Sequence, residues 1–121
     1  MKEMEDENGR CFDCGQIRPA WASVNNAIFI CLNCSGIHRG LSVQISMVRS
    51  LTLDMWTEKQ LRQMQNGGNR KFYEFLSQYE LQDVKDIKLK YNTRAADYYR
   101  RRNLAQAMGS EDFTEELPTI D

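Results

Sequence analysis

The chain carries four cysteines, as Cys11-Phe12-Asp13-Cys14 and Cys31-Leu32-Asn33-Cys34, a C-x2-C-x16-C-x2-C array with no fifth cysteine elsewhere. Two residues between cysteines make a tight knuckle that turns two thiolates toward one ion, and two knuckles complete a tetrahedral set. That chemistry points to one structural zinc ion, with an iron site of similar geometry as the alternative. A catalytic metal needs an open coordination position, and four thiolates leave none. Five positions past the last cysteine stands Arg39, within Ile37-His38-Arg39-Gly40-Leu41. A segment leaving a metal knuckle is held rigidly, so Arg39 needs an account. It could cap a helix end or pair with a carboxylate, contact nucleic acid, or offer its planar five-donor fork to a partner's phosphates.

His38 is the single histidine. As a fifth metal ligand it is redundant, and no nucleophile pattern surrounds it for general-base work, so a partly buried, hydrogen-bonded role is expected. Neither G-x-x-x-x-G-K-[ST] nor G-x-G-x-x-G occurs, which argues against nucleotide binding by this chain alone.

The elements that must position these residues follow from local patterns. Between the knuckles, Trp21-Ala22-Ser23-Val24 and Ala27-Ile28-Phe29-Ile30 flank Asn25-Asn26 and read as a hairpin. A short helix is expected from Ser35, as cap, to about Ser42. Alternation in Val48-Arg49-Ser50-Leu51-Thr52-Leu53 predicts a third strand. Thr57-Glu58-Lys59-Gln60 has capping-box spacing, Gly67-Gly68 stops that helix, and Asn69 is expected to cap the next. Phe72, Phe75, Leu76 and Tyr79 then fall on one helical stripe. Two more helices are expected, from Val84 to about Tyr91 and from Thr93 to about Met108. The sum is an α+β fold, a small three-stranded antiparallel sheet with a four-cysteine finger surrounded by about five helices. Residues 1–10 are expected to be a flexible lead-in, 11–108 the domain, and 109–121 a disordered acidic tail.

At 121 residues, 41% hydrophobic and 27% charged, the chain suits one globular domain. It has no apolar run of membrane-spanning length and no signal-peptide pattern, so a cytosolic or nuclear setting is expected, where paired cysteines read as metal ligands. The net charge is −1. Residues 84–104 nevertheless gather Lys85, Lys88, Lys90, Arg94, Arg100, Arg101 and Arg102 against two acids, a stretch that reads as a solvated helix face or as a docking strip for an anionic membrane or acidic partner.

Several ordered blocks extend the pattern. The C-x2-C-x16-C-x2-C-x4-R frame, Pro19-Ala20-Trp21-Ala22-Ser23, Cys34-Ser35-Gly36-Ile37-His38-Arg39-Gly40-Leu41, Val48 to Trp56, Gly67-Gly68-Asn69 and Lys90 to Ala96 together resemble the GTPase-activating domains for Arf-type small GTPases, over about residues 8–108. The spacing best resembles the Golgi-associated branch. The resemblance implies a chain that is not itself the hydrolase but an activator of a GTP-bound Arf-family GTPase. Arg39 would be an arginine finger supplied in trans, and the zinc a scaffold that holds its segment. It also implies a partner-facing role for Asp54 and, for Trp21, either support of the Arg39 segment or a place beside the partner surface, with a pure core role as the alternative. A cytoplasmic monomer, peripheral recruitment to Golgi or vesicle membranes, and no nucleic-acid partner are expected as well. Three positions depart from the family pattern: Ser42 stands where a glycine is common, Gln44 for a histidine, and Ala27 for a glycine before the second knuckle. A positive φ at that last position would strain Ala27.

Two rivals remain open on the residues. A non-catalytic zinc adaptor could bind a GTPase without accelerating it. A GATA-like DNA-binding finger has similar knuckle spacing, but it should carry a basic stretch beside the finger and a high pI. Here the pI is about 5.9 and residues 35–48 hold Arg39 as their one formal base.

Overall fold

The computed structural model describes residues 7–110, 113 and 116–118. Strands β1 (Trp21–Ser23), β2 (Ile28–Ile30) and β3 (Val48–Ser50) form one antiparallel sheet in the order β2-β1-β3. Trp21 stands opposite Ile30 on one side and Ser50 on the other. Five helices follow β2: α1 (Leu32–His38), α2 (Glu58–Asn66), α3 (Asn69–Ser77), α4 (Ile87–Tyr91) and α5 (Arg94–Ala107). The α+β architecture expected from the sequence is the one found.

Local chemistry accounts for most of the boundaries. Thr57 and Gln60 make the full capping box, with Gln60 Oε1 accepting from the Thr57 N–H at 2.9 Å and Thr57 Oγ1 accepting from the Gln60 N–H at 3.1 Å. Asp86 and Thr93 cap α4 and α5 through the N–H groups of Leu89 and Ala96. The helix after the second knuckle starts earlier than expected. Its cap is Cys31, not Ser35, and Cys34 lies in its first turn. Ser35 instead donates its hydroxyl to the Leu32 carbonyl at 2.6 Å, a bond open to a serine inside a helix.

Asn69 also departs from its expected role. It is the first residue of α3, and its side chain leaves the helix to accept from the Phe29 N–H at 2.7 Å and donate to the carbonyls of Glu7 and Arg10. Asn8, sixty-one positions earlier, supplies the cap by accepting from the Asn69 N–H at 2.9 Å. These bonds tie residues 7–10, the end of the expected flexible lead-in, to β2 and α3. In the expected acidic tail, Phe113 sets its ring 5.4 Å from that of Tyr98. Residues 1–6, 111–112, 114–115 and 119–121 of these two segments lie outside the described residues.

The core lies between the sheet and helices α3 and α5. Phe72, Phe75 and Leu76 of the expected stripe are buried, with Tyr79 partly so. Phe72 meets Tyr99 at 4.6 Å between ring centres and Phe12 of the first knuckle at 5.2 Å, so the stripe carries the metal module directly on the helical core.

The hairpin turn is strained and closely covered. Ala27 has φ +55°, the left-handed region that disfavours a β-carbon. Gly67 lies against it: a β-carbon at Gly67 would stand 2.2 Å from the Ala27 Cβ, and the Gly68 N–H donates to the Ala27 carbonyl at 2.8 Å. Gly68 itself, at φ +117° and ψ 159°, occupies a region open in practice to glycine alone. Ser42 is not among the residues of positive φ, so its departure from glycine carries no comparable strain. Gly67→Ala is therefore expected to lower stability by about 2 kcal/mol or more through overpacking. In an Ala27→Gly background the same change should cost clearly less, because the opposing methyl is gone. Equal costs in the two backgrounds, measured by denaturant unfolding, would show that this contact does not limit position 67.

Candidate functional site

The two knuckles meet at the edge of the sheet. The Sγ atoms of Cys11, Cys14, Cys31 and Cys34 all lie within 4.8 Å of one another, with Cys14 and Cys31 3.6 Å apart. A tetrahedral zinc with Zn–S bonds of about 2.3 Å would space its sulfurs roughly 3.8 Å apart, so the donor set fits such an ion. Cys11, Cys31 and Cys34 are buried and Cys14 is exposed. Burial pushes the Cys11 and Cys34 thiols up from their ordinary pKa. Thiolates at those positions therefore call for a cation among them.

The residue between the first two cysteines is the structural pivot. The Asp13 side chain is 3% exposed and its carboxylate is fully engaged. Oδ2 meets His38 Nε2 at 2.7 Å, Oδ1 accepts from Lys90 Nζ at 2.8 Å, and the Tyr91 hydroxyl donates at 2.9 Å. Burial works against ionisation of Asp13, yet the hydrogen bond from His38 and the charge of Lys90 outweigh it and leave its pKa below the usual carboxylate value. Burial, reinforced by this carboxylate, pushes the Tyr91 phenol well up. His38 is 0% exposed, as a hydrogen-bonded core residue should be, and its ring lies 4.6 Å from that of Tyr91.

Arg39 follows at the C-cap of α1, with its N–H on the Ser35 carbonyl at 3.0 Å. The backbone thus does end a helix, where a cation is favoured by the helix dipole. The side chain does something else. It is exposed, its guanidinium carbon stands 4.8 Å from the centre of the Trp21 ring, and among the described residues no carboxylate pairs with it. Trp21, half-buried at the start of β1, is the platform beneath it.

Arg39 lines a groove of about 300 Å³ together with Arg49, Asp54 and the 41–48 segment. Asp54 is exposed, and its Oδ2 accepts from the Ser50 N–H at 2.7 Å, which folds the loop after β3 back on the strand. The structure therefore gathers Arg39, Trp21 and Asp54 on one side of the metal module. Sequence reasoning missed Arg49 and the Asp13 pivot. The position of Asp13 inside the first knuckle was the available signal, whereas its partners lie 25 to 78 positions away. The basic 84–104 stretch is not a single solvated face, since Lys90 and Arg100 are 3% and 8% exposed. No helix among the described residues is long and apolar enough to cross a membrane.

A four-cysteine cluster with three of its thiols buried, and an exposed arginine at the end of the helix that leaves it, is the class of site that this geometry defines. The family model described as "Putative GTPase activating protein for Arf" matches residues 1–108, and the chain belongs to that family. It is 48% identical over 101 residues to the ADP-ribosylation factor GTPase-activating protein 3 of Bos taurus, covering 83% of this chain and 19% of that protein. It is 40% identical over 95 residues to the GTPase-activating protein GCS1 of Saccharomyces cerevisiae, covering 78% of this chain and 27% of that one. Among solved structures, the "putative GTPase activating protein for ADP ribosylation factor" of Cryptosporidium parvum superposes with a TM-score of 0.64 at 37% identity, over 85% of this chain and 79% of the other. The chain thus spans roughly a fifth to a quarter of these two curated relatives.

Metal analysis of the purified chain is expected to give one zinc per molecule, and chelation is expected to abolish the hairpin and α1 signals while releasing four reactive thiols. Well under one zinc per chain, or an unchanged fold after chelation, would overturn the metal assignment.

Proposed function

We propose that this domain stimulates GTP hydrolysis by an Arf-family small GTPase, with Arg39 as a finger supplied in trans. The observation that carries the reading is the Arg39 side chain itself: exposed, without a carboxylate partner among the described residues, and mounted at the exit of the metal module in a chain of the ArfGap family. A guanidinium held this way costs little to redirect onto phosphate oxygens, which is where charge builds as the terminal phosphoryl leaves GTP. The GTPase brings nucleotide, magnesium and the water-orienting glutamine; this chain brings one charge on a rigid support. Such fingers contribute roughly 10³ to 10⁵ in rate, about 4 to 7 kcal/mol of barrier. The chain is in this sense an activator and performs no hydrolysis by itself.

A structural zinc held by Cys11, Cys14, Cys31 and Cys34 would offset part of the thiolate charge and fix both knuckles, and would take no part in the reaction. Trp21 would meet the partner beside Arg39. Asp54 would do so from the loop after β3, where Leu53 and Met55 are 81% and 92% exposed and offer apolar contact. The partner is the GTP-bound form, engaged by one copy of the domain in the cytoplasm, at the Golgi or vesicle membranes that the resemblance implies. Peripheral contact with an anionic membrane would fall to Lys85, Lys88, Arg94 and Arg101, which are exposed.

Single-turnover hydrolysis on a GTP-loaded Arf-type GTPase tests the reading. Arg39→Lys keeps charge but loses the planar fork, and the maximal stimulated rate is expected to fall at least about a hundredfold. An unchanged rate would remove the finger assignment. Binding without acceleration by the unmodified chain would make it an adaptor instead. A salt-dependent shift of duplex DNA would favour the nucleic-acid reading. Asp54→Ala is expected to raise the half-saturating domain concentration several-fold while leaving the maximal rate within about twofold. A fall in maximal rate alone would place Asp54 outside the docking surface.

A further inference from the structure

The buried bonds around His38 extend beyond Asp13 and form a directed chain. At one end the Arg100 guanidinium donates to Asn26 Oδ1 at 3.1 Å. The Asn26 amide then donates through Nδ2 to Ser23 Oγ at 2.8 Å. Ser23 Oγ and Ser46 Oγ are 2.7 Å apart, and Ser46 Oγ lies 2.7 Å from His38 Nδ1. At the other end His38 Nε2 meets the Asp13 carboxylate.

The donors can be assigned by elimination. Asp13 is an acceptor, so His38 Nε2 carries hydrogen and donates to it. Asn26 Nδ2 has only hydrogens to give, so Ser23 Oγ accepts from it and turns its own hydrogen to Ser46. Ser46 Oγ, having accepted, turns its hydrogen to His38 Nδ1. Every bond then points the same way, from the Arg100 cation to the Asp13 anion, and each polarises the next. The reverse order leaves the Ser23 hydrogen without an acceptor along this chain. Arg100 also donates to the Tyr91 carbonyl at 3.1 Å, and the Tyr91 hydroxyl donates to Asp13, so the chain closes into a ring through α4 and α5.

His38 is the residue directly before Arg39, and the ring holds it at both nitrogens. We propose that His38, fixed in its Nε2–H tautomer by this ring, is a positioning residue that sets where the Arg39 guanidinium stands above Trp21. The bond to Ser46 ties the end of α1 to the segment lining the groove, and the bond to Asp13 ties it to the first knuckle. Rotation of the last turn of α1 must break one or the other. This inference rests on the proposed activation of a GTPase only for its consequence in rate; the placement of Arg39 can be read without it.

Two measurements on the zinc-loaded domain test it. His38 is the sole histidine, so long-range proton–nitrogen correlation reports its tautomer without ambiguity; Nε2–H is expected, and Nδ1–H would overturn the inference. The Trp21 indole resonance, assigned against Trp56 by Trp21→Phe, is expected to move in Arg39→Ala. It should move the same way in Ser46→Ala and His38→Gln, with the Trp56 resonance unchanged. A Trp21 resonance that moves in Arg39→Ala but stays in place in both ring variants would overturn it. In single-turnover assays both ring variants are expected to lower the maximal rate about tenfold, the scale of a small misplacement of a reacting group, with half-saturation within about twofold. Neither variant should add a further loss in an Arg39→Lys background. The same fold-loss in that background, with one zinc still bound, would assign His38 a purely structural role. Absence of any acceleration by the unmodified domain would remove the proposed function, and the tautomer and Trp21 readings would still decide the placement. Ser46→Ala is the milder change and serves if His38→Gln does not fold.

Discussion

One buried carboxylate organises this fold. Asp13 cannot keep its charge away from water without donors to its oxygens, and these come from His38 in α1 and from Lys90 and Tyr91 at the end of α4. The requirement draws a knuckle, a helix that carries the arginine and a distant helical layer to one point. Hydrophobic packing supplies the bulk of the stability, through Phe12, Phe72 and Tyr99. The polar requirement decides the arrangement, because a shift of any of these elements leaves an ion unpaired.

The geometry also separates support from contact. His38 and Arg39 are neighbours in sequence, yet one is 0% exposed and the other lies open. The helix ends between them, so consecutive side chains face the core and the groove. Trp21 serves both sides, half-buried in β1 while its ring face underlies the guanidinium. Gln44 and Ser42 fall in the exposed stretch beyond, where the Asn25 amide donates to the carbonyls of Val43 and Gln44.

What could be read from the chain followed the reach of each interaction. The cysteine frame, the Thr57–Gln60 box and the Phe72–Leu76 stripe are local, and their spacing states them outright. The resemblance then gave Arg39 a role that spacing alone left among three. Cys31 in place of Ser35 as the cap was hidden because a thiol is a poor acceptor beside a serine, and metal geometry overrides that preference. The expected cap role of Asn69 and the place of Lys90 in a solvated or docking strip missed their buried bonds for a different reason. Their partners lie 40 to 77 positions away, and no periodicity encodes such pairs.

The distance between Asp13 and Lys90 bears on how the protein comes into being. All four thiols are present once residue 34 has been made, so the ion can be captured early in synthesis. The carboxylate inside that module then has no ammonium or phenol to meet until residues 90 and 91 follow. Metal capture and completion of the arginine's mount are therefore separate events in time, and the second waits for the far end of the domain. A chain ending before α4 would keep all four thiols and still lack these two donors to Asp13, so the support beneath Arg39 is complete only in a finished domain.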